Sequence, residues 1–224
     1  MNNELNEIVR LVKSYIELEK ESGVEECLAR CYIKEDAAGD GNAQGRLAAL
    51  KKNVLSCMGC DLSATRRNVV FGSGNPKASL MFIGEAPGEE EDAQGLPFVG
   101  RAGQLLTKII EAMGMKRQDV YIANILKCRP PNNRAPLPTE ILACEENLKA
   151  QIEMIKPKVI CTLGKFASQT LLKTQESITA LRGNWREYQG IKVMPTFHPA
   201  YLLRNPPDKR LVWQDMKKVL KELK

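Results

Sequence analysis

The sequence predicts an α/β domain built on a mostly parallel sheet. From residue 66 onward, short apolar runs alternate with helix-period segments, the pattern of parallel strands joined by crossover helices. The run Leu80-Met-Phe-Ile83 is apolar without a break, as expected of a strand buried on both faces. Of the 224 residues, 43% are hydrophobic, enough for a sizeable core in one main domain plus an appendage.

The elements follow in order. Leu5, Ile8, Val12, Tyr15 and Ile16 recur at helical spacing, which predicts an amphipathic helix over 3–21 that Gly23 ends. Its apolar face suits its own chain or a partner protein. Cys27 and Cys31, four apart, share a face of a further short helix and read as structural thiols. Residues 1–34 thus form an acidic helical extension, residues 35–46 a flexible Gly/Ala/Asp-rich linker, and residues 47–224 the main domain. A helix from Leu47 leads into Cys57. Strands are expected over 80–83, 120–126, 159–163 and 192–196, and helices over 103–113, 139–155, 165–172 and 212–223. Leu105, Leu106, Ile109 and Ile110 line one face of the first of these helices. Thr139 is expected to cap the next, with Glu140 in its first turn, after a Pro-rich loop at 129–138.

Composition excludes some functions. No apolar run reaches membrane-spanning length and the N-terminus is no signal peptide. A cytoplasmic protein without membrane attachment is therefore expected. Its cysteines should be reduced thiols or metal ligands rather than disulfides. Residues 1–40 carry 5 basic and 10 acidic residues, and residues 41–224 carry 28 basic and 17 acidic. The basic part suits a polyanion such as nucleic acid.

In a parallel sheet, ligands lie outside the carboxyl ends of the strands. Those ends fall at 84–92, 124–129, 164–165 and 197–198. Gly84, Pro87 and Gly88 break the first strand, and residues 89–92 are all acidic. They suit either a site or the positive N-terminal end of a helix. An isolated aromatic, Phe98, follows. Asn124 offers an acceptor and two donors to a base edge, or else caps a turn. Gly164-Lys165 opens a helix and suits phosphate. His198 is the only histidine; after a strand and before a proline, it could donate to a developing anion or act as acid or base. Arg204, Lys209 and Arg210 suit DNA phosphates, and Leu202 and Leu203 suit either the core or a wedge between bases. Cys57-Met-Gly-Cys60 is a C-x2-C pair, with Cys128 and Cys144 further on. Four such thiols suit zinc or an iron–sulfur cluster, and a redox pair with two bystanders is the alternative. Cys161, in an apolar strand, reads as a small core residue.

These pieces together resemble the family 4, iron–sulfur type of uracil-DNA glycosylase. The motifs that carry the likeness are Gly84-Glu-Ala-Pro-Gly-Glu-Glu-Glu-Asp92, Pro97-Phe-Val-Gly100, Asn124-Ile-Leu-Lys-Cys-Arg-Pro-Pro131 and His198-Pro-Ala-Tyr-Leu-Leu203, with the four cysteines. The likeness runs from about Leu50 to the C-terminus. It implies a three-layer fold whose four-stranded, mostly parallel central sheet is flanked by helices. It also implies a structural 4Fe–4S cluster on Cys57, Cys60, Cys128 and Cys144, with zinc the less favoured occupant.

The implied activity is base-excision repair: uracil is flipped from single- or double-stranded DNA and its N-glycosidic bond hydrolysed. In that scheme Phe98 stacks on uracil and Asn124 reads its polar edge. The backbone of Glu85 and Ala86 lines the pocket. Glu91 crowds the C5 methyl of thymine, and His198 donates to O2 as the anion forms. Ala86 stands where relatives in the wider superfamily carry a water-positioning Asp, which leaves Glu85, Glu91 or Asp92 for the water. Glu91 is the expected catalytic carboxylate beside His198; Lys165, Arg204, Lys209 and Arg210 are the expected DNA contacts. A nucleoid-associated monomer is expected, with the N-terminal helix open to a protein partner. The competing expectation is a non-catalytic iron–sulfur DNA-binding module, such as a polymerase accessory.

Overall fold

A computed structural model describes residues 43–224. The expected helix at 3–21, Cys27, Cys31 and residues 35–42 of the expected linker lie outside the described residues. Helix α1 (Ala43–Leu55) starts within the stretch read as linker. It is followed by α2 (Leu62–Thr65), β1 (Ser73–Gly74), β2 (Leu80–Gly84), α3 (Glu89–Gln94), α4 (Arg101–Ala112) and β3 (Tyr121–Asn124). Next come α5 (Pro138–Ile155), β4 (Val159–Leu163), α6 (Lys165–Leu172), α7 (Ile178–Leu181) and β5 (Arg186–Tyr188). The chain ends with β6 (Ile191–Thr196), α8 (Pro199–Arg204) and α9 (Lys209–Leu223).

The sheet has six strands in the order β1-β3-β2-β4-β6-β5 and is mixed. This corrects the expected four-stranded, mostly parallel sheet. The four expected strands form its centre and pair in parallel, with Gly84 opposite Asn124, Phe82 opposite Cys161 and Leu163 opposite Thr196. An antiparallel strand adds at each edge, β1 on β3 and β5 on β6. Neither edge strand carries an apolar run. β1 is only Ser73-Gly74, and in β5 Arg186 and Glu187 are exposed, as suits a solvent-facing edge. Gln189 and Gly190, both at positive φ, turn β5 back into β6.

Alternate residues of each central strand feed opposite cores. Met81, Ile83, Ala123, Ile160 and Val193 pack with Leu50 of α1, Leu148 and Ile152 of α5 and Leu171 of α6. Leu80, Phe82, Ile122, Cys161 and Met194 pack with Leu106 and Ile110 of α4 and Val212 and Met216 of α9. Burying such a side chain contributes about 1.5–3 kcal/mol, so both faces of the sheet must be covered. That is why the central strands read as unbroken apolar runs. Cys161 is a core residue, as expected.

Helix starts differ from expectation. α4 begins at Arg101 and α9 at Lys209, each ahead of its first apolar stripe. At α5 the Leu137 N–H donates to Glu140 Oε2, so Glu140 rather than Thr139 satisfies the first turn. β2 leads over one face to α4, and β4 over the other to α6. Between those two strands the chain departs in opposite directions, and this places a crevice at their carboxyl ends.

Candidate active site

The carboxyl ends of β2, β3 and β6 open onto one cavity of about 510 Å3. Glu85, Ala86, Glu91, Phe98, Asn124 and His198 all line it. The uracil-binding set expected from the sequence therefore converges, although its members are spread over more than a hundred positions.

Phe98 forms one wall. Its φ of 52° is unusual for a residue with a Cβ and costs roughly 1–3 kcal/mol. Several contacts hold it there. Val99 and Gly100 donate their N–H groups to Glu91 Oε1 at 2.8 and 2.9 Å, and Gly88 donates to Glu91 Oε2 at 3.1 Å. Arg117 donates to the Pro97 carbonyl. The Phe98 ring meets the His198 ring at 5.6 Å between centroids. At the floor, a Cβ on Gly84 would stand 2.4 Å from Asn124 Oδ1 and 2.5 Å from Phe98 Cζ. Only a glycine leaves this space open.

Asn124 is 1% exposed, and its Oδ1 is buried without a hydrogen-bond partner. An unpaired buried acceptor costs about 1–3 kcal/mol. It is the one such atom among the described residues, and it stands where a ligand donor can satisfy it.

His198 caps α8. Its Nδ1 accepts from the Ala200 N–H at 3.1 Å, so Nδ1 is unprotonated and Nε2 carries the proton. Burial, then the charge of Arg204, lowers its pKa to about 4, with Glu91 opposing. The ring is a neutral donor at neutral pH. Gly164, at φ 88°, gives it room: a Cβ there would stand 2.9 Å from His198 Cβ.

The three candidate carboxylates separate clearly. Asp92 is 2% exposed and accepts from the N–H groups of Arg67 and Asn68; it holds the preceding loop and does not line the cavity. Glu91 has both oxygens engaged by backbone. Glu85 lines the cavity with no hydrogen bond to either oxygen among the described residues, and burial pushes its carboxyl up.

Of the expected DNA contacts, Arg204 reaches the cavity. Lys165, Lys209 and Arg210 are exposed outside it. Leu202 is core and Leu203 is exposed. Arg134, Asn133 and Tyr201 also line the cavity. Sequence reasoning assigned them nothing. The paired positive φ values of Asn132 and Asn133 form the wall-building turn, and only the Pro-Pro-Asn-Asn run hinted at it.

A second, smaller cavity is lined by Cys57, Cys60, Cys128 and Cys144 with Arg66 and Lys127. Arg66 donates to Cys128 Sγ at 3.2 Å, Gly59 N–H to Cys57 Sγ at 3.4 Å and Lys127 N–H to Cys144 Sγ at 3.4 Å. Neither cation has a carboxylate partner among the described residues. Burial raises the Cys60 and Cys128 thiols and takes Cys144 up to about 11, and it lowers Lys127 to about 8. Four sulfurs ringed by N–H donors and two unpaired cations fit an anionic thiolate-bound group. Among the described residues, no three His, Cys, Asp or Glu side chains stand close enough to share one metal ion.

The family model described as the Uracil DNA glycosylase superfamily matches residues 71–223. A type-4 uracil-DNA glycosylase of Thermotoga maritima is 50% identical over 173 residues, covering 75% of this chain and 90% of that protein. One of Saccharolobus solfataricus is 48% identical, covering 79% of this chain and 86% of its own. One of Archaeoglobus fulgidus is 43% identical, covering 75% and 88%.

Proposed function

The chain belongs to the uracil-DNA glycosylase superfamily and, within it, to the type-4 enzymes, and from that premise we infer a base-excision repair glycosylase that hydrolyses the N-glycosidic bond of uracil in DNA. The observation that carries the reading to the site is the orphaned Asn124 Oδ1 in the cavity that Phe98 and His198 also line. A pyrimidine with one polar edge satisfies all three.

The geometry supports a role for each of these residues. Uracil leaves the stack and enters the cavity, where Phe98 stacks on its face. Asn124 accepts from uracil N3–H and donates to O4. Cytosine presents an acceptor at N3 and an amine at C4, so it meets both groups with the wrong polarity. Cleavage leaves positive charge on the sugar and negative charge on the base. His198 Nε2–H donates to O2 as that charge builds; because the ring is neutral beforehand, the hydrogen bond strengthens mainly in the transition state. The backbone of Glu85 and Ala86 lines the pocket.

The proposed division among the carboxylates differs from the first expectation. Glu91 is held rigid by three backbone donors. That suits it to exclude the thymine methyl and to position Phe98, but leaves it little capacity for water. Glu85 is then the carboxylate that orients the attacking water. Arg204 contacts phosphate beside the flipped nucleotide, while Lys165, Lys209 and Arg210 contact the strand further out.

Cys57, Cys60, Cys128 and Cys144 would hold a 4Fe–4S cluster, which would cross-link the turn after α1 to the end of β3 and to α5. Its chemistry there is structural: it supplies tight sulfur ligation and negative charge. Single- and double-stranded DNA are both proposed substrates, handled by a monomer at the nucleoid in the cytoplasm. No helix among the described residues is long and apolar enough to cross a membrane. A protein partner for residues 1–34 is a separate proposal, and a chain starting near Arg46 that keeps every interaction would remove it.

The direct test incubates cluster-loaded protein with a uracil-containing oligonucleotide and then alkali. A nick at uracil is expected; an intact strand overturns the reading.

A further inference from the structure

The segment Asn124-Ile-Leu-Lys-Cys128 joins the two cavities, since Asn124 lines one and Cys128 the other. Between them stands Lys127, 1% exposed. Its Nζ donates to the Asn124 carbonyl at 2.7 Å and to Gln151 Oε1 at 2.6 Å. Its own N–H donates to Cys144 Sγ. Gln151, also buried, is oriented by donating to the Phe71 carbonyl at 2.9 Å and to Tyr121 Oη at 3.2 Å.

This arrangement has a job to explain. Past the end of β3, the Ile125 and Leu126 N–H groups donate to the Gly84 and Glu85 carbonyls. The Asn124 carbonyl instead receives the Lys127 ammonium. A fully buried ammonium held only by neutral oxygens is expensive unless negative charge stands near. An apolar side chain would fill the same volume without that cost. The nearest source of negative charge is the cysteine cavity once its sulfurs bind a group as thiolates.

We propose that Lys127 is a positioning residue that couples the group held by the four cysteines to Asn124, fixing the base-reading amide by clamping its carbonyl. The proposal rests on Asn124 reading uracil and on the cysteines holding an anionic cluster. Sulfur-bound negative charge keeps the ammonium in place; the ammonium keeps the Asn124 peptide in place. The cluster thereby supports base selection without touching the base.

A double-mutant cycle on the cluster-loaded enzyme tests this. Parent, Asn124→Ala, Lys127→Met and the double variant are compared in single-turnover excision, with iron content and visible absorption checked for each. Free-uracil affinity, measured by calorimetry, gives a readout independent of turnover. Lys127→Met is expected to keep its iron, slow excision about 10–100-fold and weaken uracil affinity by a similar factor. On the Asn124→Ala background the same change should do little further. Multiplicative losses in the double variant, or a Lys127→Met enzyme that matches the parent, overturn the coupling. A fast Asn124→Ala enzyme would instead sink the role of Asn124 itself. Gln151→Met covers the case in which Lys127→Met loses its iron. It releases the other anchor of Nζ away from the cysteines and should slow excision in the same direction; full activity there overturns the proposal.

Discussion

At the base cavity polar groups are left open: among the described residues neither Asn124 Oδ1 nor the Glu85 carboxylate has a partner, and the His198 ring turns its protonated Nε2 away from its cap. At the cysteine cavity, three sulfurs already receive N–H donors and two cations crowd the rim. The two lie only a few residues apart along one segment. The difference separates a visitor from a resident. A ligand that comes and goes must find groups that gain a partner on its arrival, and the empty site carries their desolvation cost. A permanent group can have donors and counter-charges set around it in advance. Strain follows the same division: Phe98, at positive φ, stands at the base cavity.

Four experiments test this contrast. The largest effect is expected for His198→Ala, which should lower kcat about 10²–10³-fold, with DNA binding retained in a mobility-shift assay. An unchanged rate would remove His198 from the anion site. Cys128→Ser should abolish iron binding and leave the Arg66 and Lys127 charges uncompensated. The cost is about 3–5 kcal/mol, read as a melting midpoint lower by roughly 10 °C. Zinc without iron in anaerobically prepared parent protein would overturn the cluster.

Smaller effects follow. Glu91→Ala frees the Gly88, Val99 and Gly100 N–H groups. It should slow uracil excision roughly tenfold through a loosened Phe98 and admit some thymine excision; loss of neither would refute both proposed roles. The smallest effect concerns pH. The folded His198 pKa is about 4, below its ordinary 6.5, so the unfolded chain binds its proton first as pH falls. The stability linked to this ring is complete above about 6.5 and is lost progressively toward 4. Excision should fall on the same account only near pH 4, where Nδ1 gains a proton and the α8 cap breaks. A rate that already halves near pH 6, and does so equally in Glu85→Gln, would show that His198 titrates normally.

Legibility differed with the kind of residue. Leu80 to Ile83 and Val159 to Leu163 were readable because strands buried on both faces need unbroken apolar runs. β1 and β5 were not, because an edge strand is held by backbone hydrogen bonds that any side chain permits. Phe98, Asn124 and His198 were readable because each is chemically conspicuous just past a strand. Arg134 and Asn133 were invisible: nothing local says that a loop after β3 folds back over the ends of β2 and β6.

The central parallel strands and the residues at their carboxyl ends are encoded locally in the chain. Those follow from hydrophobic period and turn chemistry, which are local. Which carboxylate goes without a hydrogen bond among the described residues is settled by long-range packing. Glu85, Glu91 and Asp92 are alike in charge and lie within eight positions; what separates them is which backbone N–H groups reach them. Asp92 meets Arg67 and Asn68, Glu91 meets Gly88, Val99 and Gly100, and Glu85 is left to face the cavity. A hydrogen bond depends on position in space, and position is what folding adds to chemistry already written in the chain.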